Sequence, residues 1–285
     1  MSAAALPRNL RIGTSSFATD DWVGPFYPDG TVQQEYLPRY AERFDTVEID
    51  ATFYRVPTRR QVEGWRDRTP EGFLFAAKFP QTVTHKEISD ESLDELARFL
   101  EVMRILGPKL GPLLLQFPYI SKARQSEEYA TGDRFREKLA ALFERLPSDL
   151  RFAVEVRNEK WLSEPLLELF RSKGASLAFI DYYTMPGMVR FAAQPGSLTS
   201  TFAYVRFLGH HRQMDALVEE KAKDGGRRWD AVVKDRTREM QAWAPVLRGV
   251  SERAGEVLVY FNNHYAGHAP GSIDLFRSVW ASLEP

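Results

Sequence analysis

The sequence predicts an α/β protein folded as one (β/α)8 TIM-like barrel spanning residues 1–285, with a degenerate sixth helix. Three observations predict it. Eight short apolar runs recur along the chain, and each is followed by a helix-like or loop stretch. The length of 285 residues suits one closed barrel, a fold of about 250 residues. Residues 13–17, Gly-Thr-Ser-Ser-Phe, follow the first run but do not make the glycine-rich phosphate turn that usually opens a doubly wound sheet.

The runs are residues 10–16, 46–53, 73–80, 112–118, 151–157, 176–181, 202–209 and 256–263. Each is mostly β-branched, aromatic or aliphatic, as strands buried on both faces are. Between the first two, residues 33–44 carry Tyr36, Leu37, Tyr40, Ala41 and Phe44 at helical spacing. Residues 58–68 read as a weaker helix after the second run. Residues 92–106 follow the third, with Leu93, Leu96, Leu100, Met103 and Ile105 on one face. Residues 119–133 form a polar insertion after the fourth, before a helix at 134–146; another helix fills 164–172. The stretch 182–200 holds Pro186, Gly187, Pro195 and Gly196 and little periodicity, hence the degenerate sixth helix. Residues 209–228 are polar, reach Gly225-Gly226, and are expected at the barrel mouth as a lid. Helices at 229–250 and 272–283 complete the series. With no linker or internal repeat, a single domain is expected.

Composition narrows the function. The chain has 38 Lys+Arg against 39 Asp+Glu, a formal charge of −1, with 44% hydrophobic residues and no cysteine. Such a chain is not disordered, and it has no disulfide scaffold, cysteine-ligated metal or thiol nucleophile. The balanced charge gives no overall basic footprint for nucleic acid, so a nucleic-acid partner is not expected. The N-terminal residues lack a secretory apolar stretch and no run reaches the ~20 apolar residues of a membrane helix. A cytoplasmic protein without a membrane partner is expected. Nothing fixes the oligomeric state.

Strand alternation sorts side chains between the barrel interior and the helices. In the second run Val47, Ile49, Ala51 and Phe53 share an outward face, which sends Glu48 and Asp50 inward. The same logic sends Lys78, Gln116, Glu155, Arg157, Tyr204, Arg206, Tyr260, Asn262 and His264 inward. Barrel interiors are ordinarily branched aliphatics, and active sites of this fold lie at the C-terminal ends of the strands. Unpaired buried charge costs several kcal/mol per ion in rough terms, so this set is either a site or a satisfied network. Glu48 lies deepest and is the most structural member, with Lys78 or an arginine as partner.

With these residues in view, the chain resembles the domain-of-unknown-function 72 family, the YecE-like proteins. The resemblance rests on Gly13-Thr14-Ser15 with Trp22, Gly24 and Phe26-Tyr27-Pro28; on the stretch from Thr46 to Arg55 with Pro57; on Lys78 and Thr84-His85; on Gly111-Pro112-Leu113 and Gln116-Phe117-Pro118; on Val154-Glu155-Val156-Arg157 with Trp161; and on Tyr204-Val205-Arg206, Phe261-Asn262-Asn263-His264 and Ala269-Pro270. It implies a TIM-barrel-like fold and no established activity. The chain departs from the family pattern at Ser16 and Phe17, at Asp50 where asparagine is usual, at Leu208 where histidine is frequent (His210 and His211 follow), and at Gly271-Ser272.

The expected function is that of an enzyme acting on a small anionic, phosphorylated or carbohydrate-like substrate by acid–base chemistry. Glu155, His264, His85 and Asp50 are the candidate catalytic groups. Lys78, Arg157 and Arg206 are the candidate anion binders, since guanidinium matches carboxylate and phosphate bidentately. Gln116, Asn262 and Asn263 orient polar groups, while Trp22, Phe26, Tyr27 and Tyr54 offer an aromatic wall. Trp65, Trp229 and Trp243 read as packing. No cofactor is expected and no metal. Glu48, Asp50, His85, Glu155, Asp181 and His264 are of ligand type, but they lack a local spacing such as His-Glu-x-x-His. The rival readings are a metal-assisted hydrolase or isomerase, including phosphodiester cleavage, and a non-catalytic metabolite- or nucleic-acid-binding protein. The latter rests on Arg206, Arg212, Lys221, Lys223, Arg227 and Arg228.

Overall fold

The computed structural model describes residues 5–86, 89–121, 131–222, 226 and 228–283. Each predicted run overlaps one strand: β1 Leu10–Thr14, β2 Thr46–Ile49, β3 Leu74–Lys78, β4 Leu110–Gln116, β5 Phe152–Glu155, β6 Ser176–Tyr182, β7 Phe202–Gly209 and β8 Glu256–Phe261. All pair in parallel, in the order β1-β8-β7-β6-β5-β4-β3-β2. Helices cover the outside: α1 Gln33–Ala41, α2 Arg59–Asp67, α3 Gln81–Thr84, α4 Asp90–Met103, α5 Gly132–Phe143, α6 Glu164–Lys173, α7 Met188–Ala192, α8 His211–Lys221, α9 Thr237–Arg253, α10 Asn263–Ala266 and α11 Ala269–Ala281. The sixth helix is indeed degenerate: α7 is five residues long and a 3-10 turn, Pro195–Ser197, follows it. Among the described residues no helix is long and apolar enough to cross a membrane.

β1 and β2 close the barrel without a hydrogen-bonded ladder. The Tyr40 hydroxyl, from α1, stands between them: it accepts from the Thr14 amide at 2.9 Å and donates to the Thr46 carbonyl at 3.0 Å. β1 can approach this closely because residue 13 is glycine, where a Cβ would lie 2.1 Å from the Thr46 carbonyl oxygen. Gly13→Ala is therefore expected to open the seam and to cost at least the roughly 1–3 kcal/mol typical of overpacking. Urea denaturation reads this directly, and an unchanged midpoint would show that the seam can yield.

Three segments differ from the sequence reading, one of them the helix expected at 229–250, which is Thr237–Arg253. β2 ends at Ile49, and Asp50–Phe53 is a 3-10 turn rather than strand. The Thr52 hydroxyl bonds the carbonyls of Ile49 at 2.8 Å and Lys78 at 2.7 Å, which folds the chain over the end of β3. Ala51 is consequently exposed, and Phe53 turns toward the mouth, its ring centre 3.9 Å from Lys78 Nζ. The expected polar lid after β7 contains a helix, α8, held by the burial of Met214 and Val218. Lys223 and Arg227, with Gly225, lie outside the described residues, as do residues 122–130 of the insertion after β4.

Candidate active site

Strand alternation brings charge to the barrel axis. Glu48 from β2, Glu155 from β5 and Arg206 from β7 are 0%, 0% and 1% exposed. Arg206 binds Glu48 Oε1 through Nε at 3.1 Å and Nη2 at 2.6 Å, and binds Glu155 Oε2 through Nη1. Tyr204 donates to Glu48 Oε2 at 2.6 Å. Arg157 holds the other Glu155 oxygen at 2.6 Å, its guanidinium lying 4.7 Å from the Tyr182 ring centre. Burial alone would raise the Glu155 carboxyl, but Arg206 and Arg157 outweigh it and hold it down at about 2. Burial dominates at Glu48 and raises it. Toward solvent, Asp50 Oδ1 lies 3.5 Å from Arg206 Nη2 and 3.7 Å from Lys78 Nζ.

This geometry bears on several expected roles. Arg206, expected to bind an anion, is enclosed by carboxylates, with 2% of its side chain exposed, and reaches no ligand directly. Glu155 has both oxygens engaged by arginines, so it behaves as a fixed counter-ion rather than a proton carrier. Gln116 donates to the Phe117 carbonyl at 2.8 Å and lies 3.5 Å from His85 Nε2. His85, beside the Phe53 ring, is kept neutral: burial, then Lys78 and Arg157, push it down to about 4. Tyr54 is 75% exposed, and Trp22, Phe26 and Tyr27 pack into a buried aromatic cluster instead of standing free as a wall. Asp181 lies between β6 and α9, where Tyr265 donates to it at 3.3 Å. Among the described residues no three His, Asp or Glu side chains converge as ligands of one ion.

Beside the ionic cluster, between the ends of β8 and β1, lies a cavity of about 160 Å³. Ser15, Trp22, Asp50, Trp229, Asn263 and His264 line it. Three of these carry a buried polar atom without a hydrogen-bond partner among the described residues: Ser15 Oγ, Trp22 Nε1 and Asp50 Oδ1. Asn262 caps α10, its Oδ1 accepting from the His264 amide and facing His264 Nδ1, both at 2.9 Å. Asn263 Oδ1 accepts from the Ala269 amide at 3.0 Å. Gly209 permits this turn to sit on the end of β7, for a Cβ there would lie 2.2 Å from the His264 carbonyl oxygen.

Sequence reasoning missed the groups that back His264. His211 and Asp215 stand one turn apart on α8 and so share a face. The His211 ring stacks on His264 at 4.3 Å, and Asp215 Oδ1 lies 3.2 Å from His264 Nε2. Trp229, read as packing, precedes α9 instead of starting it, and its ring centre lies 4.5 Å from that of His264. The His-x-x-x-Asp spacing at 211–215 was the available signal.

The buried imidazoles make stability acid-sensitive. His85, His211 and His268 are all lowered from 6.5 to about 4, burial being the largest cause for each. The unfolded chain takes up protons below 6.5 while the folded one refuses them until about 4, so protons favour unfolding in this window. Urea midpoints are expected to fall as pH drops from 6.5 toward 4, and to be flatter in a His268→Gln variant. A pH-independent midpoint over that range would contradict the assignment.

Comparison with known proteins agrees with this architecture. The family model described as "Protein of unknown function DUF72" matches residues 11–283. The UPF0759 protein YunF of Bacillus subtilis is 26% identical over 293 residues, covering 97% of this chain and 98% of that protein. The UPF0759 protein YecE of Escherichia coli K12 is 28% identical over 192 residues, 61% of this chain and 66% of that protein. Among solved structures, a DUF72 family protein from Thermotoga maritima superposes with a TM-score of 0.69 at 26% identity, covering 94% of this chain and 96% of that one. One from Enterococcus faecalis gives 0.66 at 22% identity, covering 97% of each chain.

Proposed function

Because this chain belongs to the DUF72 family, a group named for its unknown function, its reaction has to be read from the barrel mouth, and we propose that it is an enzyme acting on a small hydroxylated, carbohydrate-like substrate by acid–base chemistry. One observation carries this reading: among the described residues Ser15 Oγ and Trp22 Nε1 are buried without a hydrogen-bond partner around a single cavity, and Asp50 Oδ1 beside them has only the long ion pairs to Arg206 and Lys78. Each such group costs about 1–3 kcal/mol when left unsatisfied. An indole N–H, a hydroxyl and a carboxylate offer a donor, a donor–acceptor and an acceptor, the set that adjacent hydroxyls satisfy. The Trp229 ring supplies an apolar face beside them.

Asp50 and His264 both line the cavity and are the acid–base pair. Asp50 stands beside Arg206 and Lys78 and takes the substrate proton. His264 faces acceptors at both ring nitrogens, Asn262 Oδ1 and Asp215 Oδ1, an arrangement that the two N–H groups of an imidazolium satisfy. It is the acid.

The charges favour a neutral ligand over a phosphate. Glu48, Asp50 and Glu155 already balance Lys78, Arg157 and Arg206, so a dianion would have to break an existing pair. Thermal unfolding against monosaccharides, alditols, hydroxy acids and sugar phosphates tests this. A ligand at 100 times its Kd adds about 2.7 kcal/mol to stability. The wild type is expected to gain several degrees in Tm with a neutral polyol or sugar, and Ser15→Ala and Trp22→Phe to lose that gain. Stabilisation by phosphates alone would restore the anionic reading, and no stabilisation by any class would end both.

A further inference from the structure

We propose that Lys78 is an amine nucleophile that forms an imine with the carbonyl carbon of an open-chain hydroxylated aldehyde or ketone. This names the substrate class of the site above and rests on that reading. Lys78 ends β3 at the C-terminal mouth, and a tenth of its side chain is exposed. Its ammonium is held more loosely than the two guanidinium groups. Arg206 takes Glu48 and Glu155 in direct hydrogen bonds, and Arg157 takes the remaining Glu155 oxygen. Lys78 Nζ makes no hydrogen bond among the described residues; its one ion pair, to Asp50 Oδ1, is 3.7 Å long.

Its surroundings suit nucleophilic use. The Phe53 ring covers one side at 3.9 Å, which keeps water from part of the amine. Burial lowers the Lys78 pKa below its usual 10.5; Asp50 opposes this, and Arg206 adds to it. Desolvation beside other cations is how lysines are activated toward carbonyls. Asp50, which also lines the polar cavity, places the amine and the cavity on either side of one carboxylate.

The step balances with Asp50 as proton shuttle. The ammonium gives a proton to Asp50. The freed lone pair attacks the carbonyl carbon, the C–N bond forms, and the C=O π pair moves to oxygen, which picks up the second nitrogen proton. Asp50 then returns its proton to that hydroxyl, which leaves as water while nitrogen closes the protonated imine. One amine and one carbonyl give one iminium and one water, with no outside oxidant or reductant. An iminium makes the neighbouring C–H or C–C bond acidic or cleavable, which is the chemistry a carboxylate and an imidazolium on the same cavity can serve.

The test is reductive trapping. The protein is incubated near pH 7 with glycolaldehyde, glyceraldehyde or dihydroxyacetone plus cyanoborohydride, and the adducts are located by peptide mass spectrometry. The expected result is one early adduct on Lys78, formed before any adduct on the exposed lysines. Lys78→Ala should lose it, and Lys78→Arg, which keeps the charge but cannot form an imine, should lose it while retaining the wild-type circular dichroism. Adducts spread evenly over surface lysines, or none at Lys78, would overturn the proposal. Parallel melts with the corresponding alditols separate the two readings. Alditol stabilisation abolished by Ser15→Ala without trapping at Lys78 sinks the imine alone, and trapping without such stabilisation sinks the polyol cavity alone.

Discussion

Arg206→Met is expected to destabilise the protein by roughly 3–5 kcal/mol, the range for breaking a buried ion pair by removing one partner. Among the described residues the guanidinium is the only group that touches both Glu48 and Glu155, and both carboxylates are wholly buried. Without it Glu48 keeps the Tyr204 hydroxyl and Glu155 keeps Arg157, so two charges are left short of compensation rather than one. The cost should be largest at neutral pH and shrink on acidification, because protonating the orphaned carboxylates removes the charge that needs a partner. Glu155 is held at about 2 largely by its two arginines against burial, so losing Arg206 raises it. Urea denaturation at pH 5 and pH 7.5 measures both the loss and its pH slope. A triple variant, Glu48→Leu with Glu155→Leu and Arg206→Met, should recover most of the stability, since apolar replacements of buried ion triads are often neutral or stabilising. An Arg206→Met protein within about 1 kcal/mol of wild type would mean that water already solvates the cluster.

The scale of that effect explains what could be read from the sequence. Strands were legible because apolar runs of the right length leave few alternatives, and alternation then sorted Glu48, Glu155, Tyr204 and Arg206 inward without any tertiary information. Alternation stops being a guide where the strand stops. β2 ends at Ile49 because Thr52 finds two carbonyl partners, and beyond that point Phe53 turned to the mouth instead of the helices. The pairing of charges was not legible, because which arginine meets which carboxylate depends on the register of strands 51 to 158 residues apart. Nor was the α8 contact with His264. His211 and Asp215 fall within the polar stretch 209–228, and the turn of the chain at Gly209 is what lays them against His264. Inward charge is thus an ambiguous sign from sequence alone. At this mouth the deepest members form a satisfied ionic plug, while the unsatisfied polar atoms gather beside it.

That division yields the second large expectation. With a substrate from the ligand panel, Asp50→Asn and His264→Gln should each lower kcat by roughly 10²–10⁴, the usual contribution of a positioned acid or base. KM should move little for Asp50→Asn, because the amide still fits the cavity and only the proton acceptor is gone. Asp215→Asn should give a smaller loss in kcat and shift the limb of the pH profile that reports the acid. Asp215 acts through His264, and an amide oxygen no longer favours the imidazolium at Nε2. Glu155→Gln belongs to the other class. It sits behind Arg157 and Arg206 with no exposed surface, so its folded fraction should retain kcat within about tenfold even though the protein is less stable. Measuring folded fraction and turnover on the same samples separates the two. If folded Glu155→Gln is inactive while Asp50→Asn turns over normally, proton transfer runs through the axial plug, and the acid–base pair belongs there instead of at the cavity wall.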